Sequence, residues 1–300
     1  MSLRSKSAAK KAARLQVLRT LAPLRAWILR ARGKRETIAL VPTMGALHAG
    51  HLGLVRLARR RADRVVVSIF VNPAQFGPHE DFAAYPRDES ADLALCARLG
   101  TAVVFAPTVD EMYPPGDTTR VQPGAVAERL EGVARPGHFA GVATVLTKLF
   151  SIVRPDVAYF GQKDFQQLRV VQTMSRDLRL GVRVVGCPIV RERDGLAMSS
   201  RNRYLSADDR QRAVVLSRAL RDAKEDWSRG ERDPAKLRDR VERGAAVPGI
   251  AVEYVSVADP LTLEELARPA ERAVISLAAR VGKTRLIDNV LLGVSIEEIA

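Results

Sequence analysis

Through the first two-thirds of the chain, short apolar runs rich in β-branched residues alternate with segments whose apolar positions recur at helical spacing. That alternation is the pattern of parallel strands joined by crossover helices. Strands are expected at residues 37–41, 65–71, 102–105, 157–160 and 182–185. Helices are expected at 23–32 ending at Gly33, at 51–62, at 88–99 ending at Gly100, at 142–153 before Pro155, and at 165–178. The implied fold class is α/β, a Rossmann-like open parallel sheet. Beyond about residue 190 the character changes to a charged, Ser-containing loop, a long amphipathic helix at 207–229, and strand-like runs near 252–257, 272–279 and 284–291. We read this as a smaller C-terminal α+β domain, dividing the chain into 1–189 and 190–300. Pro234 and the stretch 244–249 punctuate it without marking a separable linker.

With 300 residues, 47% of them hydrophobic, the chain can fill a sizeable core. Its apolar runs are too short to cross a bilayer and no secretory signal opens it, so a cytoplasmic protein without membrane contact is expected. The formal charge of +14 changes the picture only locally. Residues 1–35 hold eleven Lys or Arg and no acid, leaving 37 basic against 34 acidic residues elsewhere. Residues 1–14 read as a flexible basic arm, either a solvated tail or a targeting or polyanion-binding segment, and nucleic acid is not expected as the main partner. Cys96 and Cys187 have no metal-ligand spacing and read as buried free thiols.

In open α/β sheets, ligands bind at the carboxyl ends of the strands. The first expected strand runs into Pro42-Thr43-Met44-Gly45-Ala46-Leu47-His48-Ala49-Gly50-His51, with a helix expected to start at the second histidine. Glycines let backbone approach a ligand, a helix amino end offers unpaired N–H groups, and imidazoles can donate to phosphate oxygens. Two histidines at this spacing could alone be half of a metal site or ordinary loop residues, but no Cys, His or carboxylate set completes such a site nearby. The metal ligands are not identified.

This string resembles the H-x-G-H nucleotidyltransferases and, within them, the pantothenate synthetase (pantoate–β-alanine ligase) family. Further strings repeat the resemblance in order. They are Ser68-Ile69-Phe70-Val71-Asn72-Pro73-Ala74-Gln75-Phe76, Tyr85-Pro86-Arg87, His138-Phe139-Ala140-Gly141-Val142, Phe160-Gly161-Gln162-Lys163-Asp164-Phe165-Gln166-Gln167-Leu168, and Asp194-Gly195-Leu196-Ala197-Met198-Ser199-Ser200-Arg201-Asn202. The resemblance covers roughly residue 18 to the carboxyl end.

It implies an AMP-forming ligase that activates pantoate with Mg·ATP as pantoyl-adenylate and joins it to β-alanine, giving pantothenate (vitamin B5), a coenzyme A precursor. ATP contacts are implied for Met44, Gly45, Ala46, Leu47, His48, Ala49, Gly50, His51, Gly161, Gln162, Lys163, Asp164, Val190, Met198, Ser199, Ser200 and Arg201. Pantoate falls to Gln75 and Gln167, and β-alanine to Gln75. His51, His48 and Lys163 are the implied catalytic residues, and a homodimer is the implied assembly. On this reading, residues 1–189 bind nucleotide and pantoate while 190–300 form a lid. The family usually shows Glu where this chain has Gln162, which puts a charged role there in doubt.

The residue types suit that chemistry. Gln75 and Gln167 can grip a carboxylate and hydroxyls without adding charge. Lys163 can reach phosphates, and Asp164 ribose hydroxyls or Mg²⁺. The Ser199-Ser200-Arg201 string can close over a triphosphate. Arg135, His138 and Tyr85 either line the substrate side or hold loops, while His79 is expected in solvent. Gly282-Lys283-Thr284 ends like a P-loop but lacks the earlier glycine, which here is Leu277. There is also no G-x-G-x-x-G fingerprint, which argues against a dinucleotide cofactor.

Overall fold

The computed structural model describes residues 14–78 and 80–299. The expectations for a basic arm at 1–14 and for His79 therefore lie outside it, apart from Arg14. Six parallel strands form the first sheet: β1 (Gln16–Leu18), β2 (Ile38–Thr43), β3 (Arg64–Ile69), β4 (Val103–Phe105), β5 (Val157–Gly161) and β6 (Arg183–Cys187), in the order β1-β4-β3-β2-β5-β6. The central strands read as unbroken apolar runs because both of their faces are covered. Along β2 and β3, Ile38, Leu40 and Val66 enter one core cluster while Ala39, Val41, Val65 and Val67 enter another. This is the two-residue period of a pleated strand divided between two layers.

The helices of this half are α1 (Leu21–Gly33), α2 (Ala49–Arg61), α3 (Glu89–Arg98), the single turns α4 (Val109–Met112) and α5 (Glu131–Ala134), α6 (His138–Val153) and α7 (Phe165–Asp177). Leu24, Ile28, Val142, Leu146, Leu149 and Val170 come from α1, α6 and α7 onto one face of the sheet, and Leu54, Val55, Ala58 and Cys96 come from α2 and α3 onto the other. Both cysteines are buried free thiols, and burial pushes them up to about 11 for Cys96 and about 12 for Cys187.

The carboxyl-terminal part has two helices, α8 (Ala207–Ser228) and α9 (Pro234–Ala245), and an antiparallel sheet of β7 (Ile250–Ala258), β8 (Ala273–Val281) and β9 (Thr284–Leu292). Leu216, Leu220, Trp227, Leu237 and Val241 pack there with Val255, Val257, Ile275 and Leu277. Val281 pairs with Thr284, so Gly282 and Lys283 are a two-residue hairpin turn with Gly282 at φ 57°. Nothing about it resembles a phosphate cradle.

Several expectations shift. Strand β1 was not foreseen, since three residues at the sheet edge carry too little periodicity. Pro234, read as punctuation, instead occupies the first turn of α9 behind the cap Asp233, whose side chain accepts the Ala235 N–H at 2.9 Å. Helix α2 starts two residues before His51, and α6 starts at His138 rather than at residue 142.

Candidate active site

Strands β2 and β5 are neighbours at the centre, and the chain runs from β2 to β3 on one side and from β5 to β6 on the other. Their carboxyl ends therefore diverge and leave a crevice. Met44, His48, Gly50, His51, Gln75, Gly161, Lys163, Asp164, Gln167, Val190, Met198, Ser199, Ser200 and Arg201 line that one cavity. The histidines, the lysine and the Ser-Arg loop meet on this one cavity. Gly45, Ala46, Leu47, Ala49 and Gln162 are not part of its wall.

The histidine loop leaves β2 through two successive left-handed residues, Gly45 at φ 82° and Ala46 at φ 51°. The buried Asp92 carboxylate of α3 stabilises this turn, accepting the Ala46 N–H at 2.8 Å and the Leu47 N–H at 2.7 Å. Those amides consequently point into the protein. His48 then caps α2: Gly50 N–H donates to its Nδ1 at 3.2 Å, and His48 N–H donates to His51 Nδ1 at 3.3 Å. A Cβ on Gly50 would lie 2.9 Å from the His48 ring, so this close approach needs glycine.

The two rings lie 4.1 Å apart, tilted by 39°. Burial, and then the Lys163 ammonium, push His48 down to about 4; burial, and then His48, push His51 down to about 3. Both are neutral at physiological pH. With Nδ1 accepting, the proton of each sits on Nε2, and both present a neutral N–H donor at the positive end of α2.

Opposite them, Lys163 Nζ lies 3.2 Å from Asp164 Oδ1. Burial would raise the Asp164 carboxyl, but the Lys163 charge and hydrogen bond outweigh it and hold the group below its ordinary value. The Ser199-Ser200-Arg201 segment reaches over from the second half: Ser199 Oγ accepts the Arg201 N–H at 3.3 Å, and Ser200 Oγ lies 3.5 Å from Tyr85 Oη. Arg201 pairs with Asp81, its Nε and NH2 donating at 3.2 and 3.0 Å. Val190 accepts the Met198 N–H at 3.0 Å, bringing these two residues together on the cavity wall.

The far end of the cavity presents neutral amides. Asn72 Nδ2 donates to Gln75 Oε1 at 3.1 Å, which leaves the Gln75 amide nitrogen toward Met44 Sδ, also at 3.1 Å. Gly141 lets α6 press on this turn, since a Cβ there would stand 2.0 Å from the Ala74 carbonyl oxygen. His138 and Arg135 line the cavity and also hold the Gln75 carbonyl, at 2.8 Å from His138 Nδ1 and 3.4 Å from Arg135 NH2. Burial, then Arg135, push His138 down to about 4. Phe70, Val142, Val145 and Leu146 supply an apolar wall beside these amides.

Gln162 faces away: its Nε2 donates to Asn289 Oδ1 at 3.1 Å, while Asn289 Nδ2 donates to the carbonyls of Gln162 and Lys163 at 2.9 Å each. Sequence reasoning had no role for Asp92, Asn72, Glu80 or Asp81. Only Asp92 left a signal, a carboxylate one helical turn before the buried Cys96 and so on the inward face of α3.

Residues 16–291 match the family model described as pantoate-beta-alanine ligase. A pantothenate synthetase of Heliobacterium modesticaldum is 53% identical over 281 residues, covering 93% of this chain and 100% of the relative. One from Chloroflexus aurantiacus is 56% identical over 281 residues, covering 93% and 98%. The crystal structure of the Thermus thermophilus pantothenate synthetase superposes with a TM-score of 0.87 at 48% identity, covering 92% of this chain and 98% of that one. A Francisella tularensis pantoate-beta-alanine ligase, crystallised with beta-gamma ATP and beta-alanine, superposes with a TM-score of 0.77 at 32% identity, covering 94% and 99%.

Proposed function

Because the chain belongs to the pantoate–β-alanine ligase family, we propose that it condenses pantoate with β-alanine using ATP, releasing pantothenate, AMP and pyrophosphate. The observation that carries this reading is the polarity of one cavity: imidazole N–H groups, Lys163 and a helix amino end on one side, neutral amides beside an apolar wall on the other.

A carboxylate does not acylate an amine at neutral pH because oxide is a poor leaving group, so it must first exchange that oxygen for AMP. Pantoate has a carboxylate, two hydroxyls and a dimethyl carbon. Gln75 and Gln167 suit its polar groups, and Phe70, Val142 and Val145 suit the methyls. Its carboxylate oxygen bonds to the α-phosphorus of ATP as the bond to pyrophosphate breaks. Negative charge moves onto the leaving group, and the Nε2–H groups of His48 and His51, the Lys163 ammonium and the α2 dipole meet it. The amine of β-alanine then attacks the acyl carbon, loses a proton, and displaces AMP. Neither step needs a covalent bond to the protein.

Mg²⁺ fits as a companion of the nucleotide rather than as a resident ion. Among the described residues no group of three His, Cys, Asp or Glu could hold a metal, and Asp164 is the only carboxylate among them on the cavity wall. Bound to the phosphates beside Asp164, the ion would neutralise their charge.

The proposal extends to residues 190–300 acting as a lid over 1–189, supported by the contacts of Ser200, Arg201 and Tyr204 with Tyr85, Asp81 and Ala84. A cytoplasmic homodimer belongs to the same reading and rests on the family resemblance. No helix of the described residues is long and apolar enough to cross a membrane. Mass spectrometry of a mixture of protein, Mg·ATP, pantoate and β-alanine tests the whole scheme. AMP and pantothenate should appear in equal amounts, and with β-alanine omitted, pantoate should still support pyrophosphate exchange into ATP. Absence of both products rejects it.

A further inference from the structure

Glu80 and Asp81 are consecutive, yet they pair with two different arginines, both of which line the cavity. Asp81 receives two hydrogen bonds from Arg201, at 3.2 and 3.0 Å. Glu80 receives two from Arg135, at 2.8 and 2.5 Å. Both pairs use the planar, two-pronged match of guanidinium to carboxylate. They are also shielded, with side-chain exposures of 32% and 24% for Arg201 and Asp81 and of 16% and 24% for Arg135 and Glu80, so neither is an ordinary solvated surface bridge. Burial would raise both carboxyls, but their arginines outweigh it and hold both below the ordinary range.

Each pairing leaves its arginine one defined orientation. A guanidinium has five N–H donors. Asp81 occupies the Nε–H and one NH2 hydrogen of Arg201, so the NH1 group remains for a ligand in the cavity that Arg201 lines. Arg135 is more fully committed. Beyond Glu80, its NH1 donates to His138 Nε2 at 3.0 Å, which fixes the imidazole proton on Nδ1, and that N–H donates to the Gln75 carbonyl at 2.8 Å. The chain Glu80, Arg135, His138, Gln75 thus ends at an amide residue of the substrate pocket.

We infer that Glu80 and Asp81 form a two-sided clasp of positioning residues, Asp81 aiming Arg201 at the nucleotide phosphates and Glu80, through Arg135 and His138, setting Gln75 against the pantoate. The inference rests on the functional reading above and deepens it.

Two isosteric substitutions separate the sides. Asp81→Asn is expected to raise the KM for ATP about tenfold while the KM for pantoate stays within about twofold, and Glu80→Gln to do the reverse, the size expected for loosening one charge-assisted hydrogen-bonded contact. A purely structural role would shift both constants together. Asp81→Glu, which keeps the charge, should recover most of the ATP affinity, and it supplies the comparison if the Asn variant melts too low for kinetics. Calorimetric binding of ATP to wild type, Asp81→Asn and Asp81→Glu reads the phosphate side without turnover, so an inactive wild type would reject the reaction assignment while leaving the clasp measurable. Equal shifts in both KM values, unchanged ATP affinity in Asp81→Asn, or no recovery in Asp81→Glu would overturn the clasp.

Discussion

Asp92 accepts the backbone N–H of Ala46, 2.8 Å away, and thereby holds an alanine in the left-handed region at φ 51°. A non-glycine residue there costs of the order of 1–3 kcal/mol unless its surroundings impose it. Asp92 imposes it from a buried position on α3, and the turn delivers His48 and His51 to the mouth of the crevice. Asp92→Asn leaves one acceptor oxygen and turns an NH2 group toward the other amide. We expect a loss of about 1–3 kcal/mol in urea unfolding together with a raised KM for ATP. Full stability with normal turnover would show that the loop holds itself.

The hydrogen-bond pattern at the histidine pair makes His51 a neutral donor. His51→Ala should cut pyrophosphate exchange by about a hundredfold or more, the size expected for losing one preorganised donor. With the two imidazoles titrating at about 4 and about 3, their protonation should produce no fall in the free enzyme's kcat/KM between pH 8 and 6. A sigmoidal loss in that window that disappears in His51→Ala would contradict the neutral assignment.

Three histidines, His138 buried and His48 and His51 half-buried, also make stability depend on pH. In the folded protein His48, His51 and His138 bind protons only near pH 4, 3 and 4, against an ordinary 6.5. As pH falls below 6.5 the unfolded chain takes up protons that the folded one refuses, so stability is full above 6.5 and is lost on the way down toward 4. Between pH 7 and 5 the unfolding free energy should drop by roughly 5–6 kcal/mol, and His138→Gln should remove about a third of that slope. Denaturant titrations at the two pH values measure it. A flat profile would mean that these rings are not buried as neutral groups.

The resemblance implies a glutamate where this chain has Gln162, and the structure turns that side chain toward Asn289 instead of the cavity. Gln162→Glu should therefore keep kcat and both KM values within about threefold. It should lower stability by about 1 kcal/mol, because the new carboxylate meets Asn289 Oδ1 where a donor stood. A large gain in turnover would show that a charge at this position serves the reaction.

Much of this was legible in the linear chain. The β-branched runs of β2, β3 and β5 follow from apolar periodicity, and the residues after β2 and β5 stand out because histidine, glycine and lysine cluster where parallel sheets bind ligands. Residue type and placement marked His48, His51 and Lys163, whereas Gln75 and Gln167 stood out only through the strings that resemble the family. What the chain could not disclose is direction and partnership. Whether Ala46 and Leu47 offer their amides to a ligand or to Asp92, and whether Gln162 faces the cavity or Asn289, depends on groups 45 or more residues away. The same holds for the glycine at 141, whose need is set by the Ala74 carbonyl beneath it, and for the arginines that Glu80 and Asp81 hold. Periodicity is local and survives in sequence. The aim of a hydrogen bond and the depth of a titrating group are properties of contacts between distant segments, and only the assembled fold decides them.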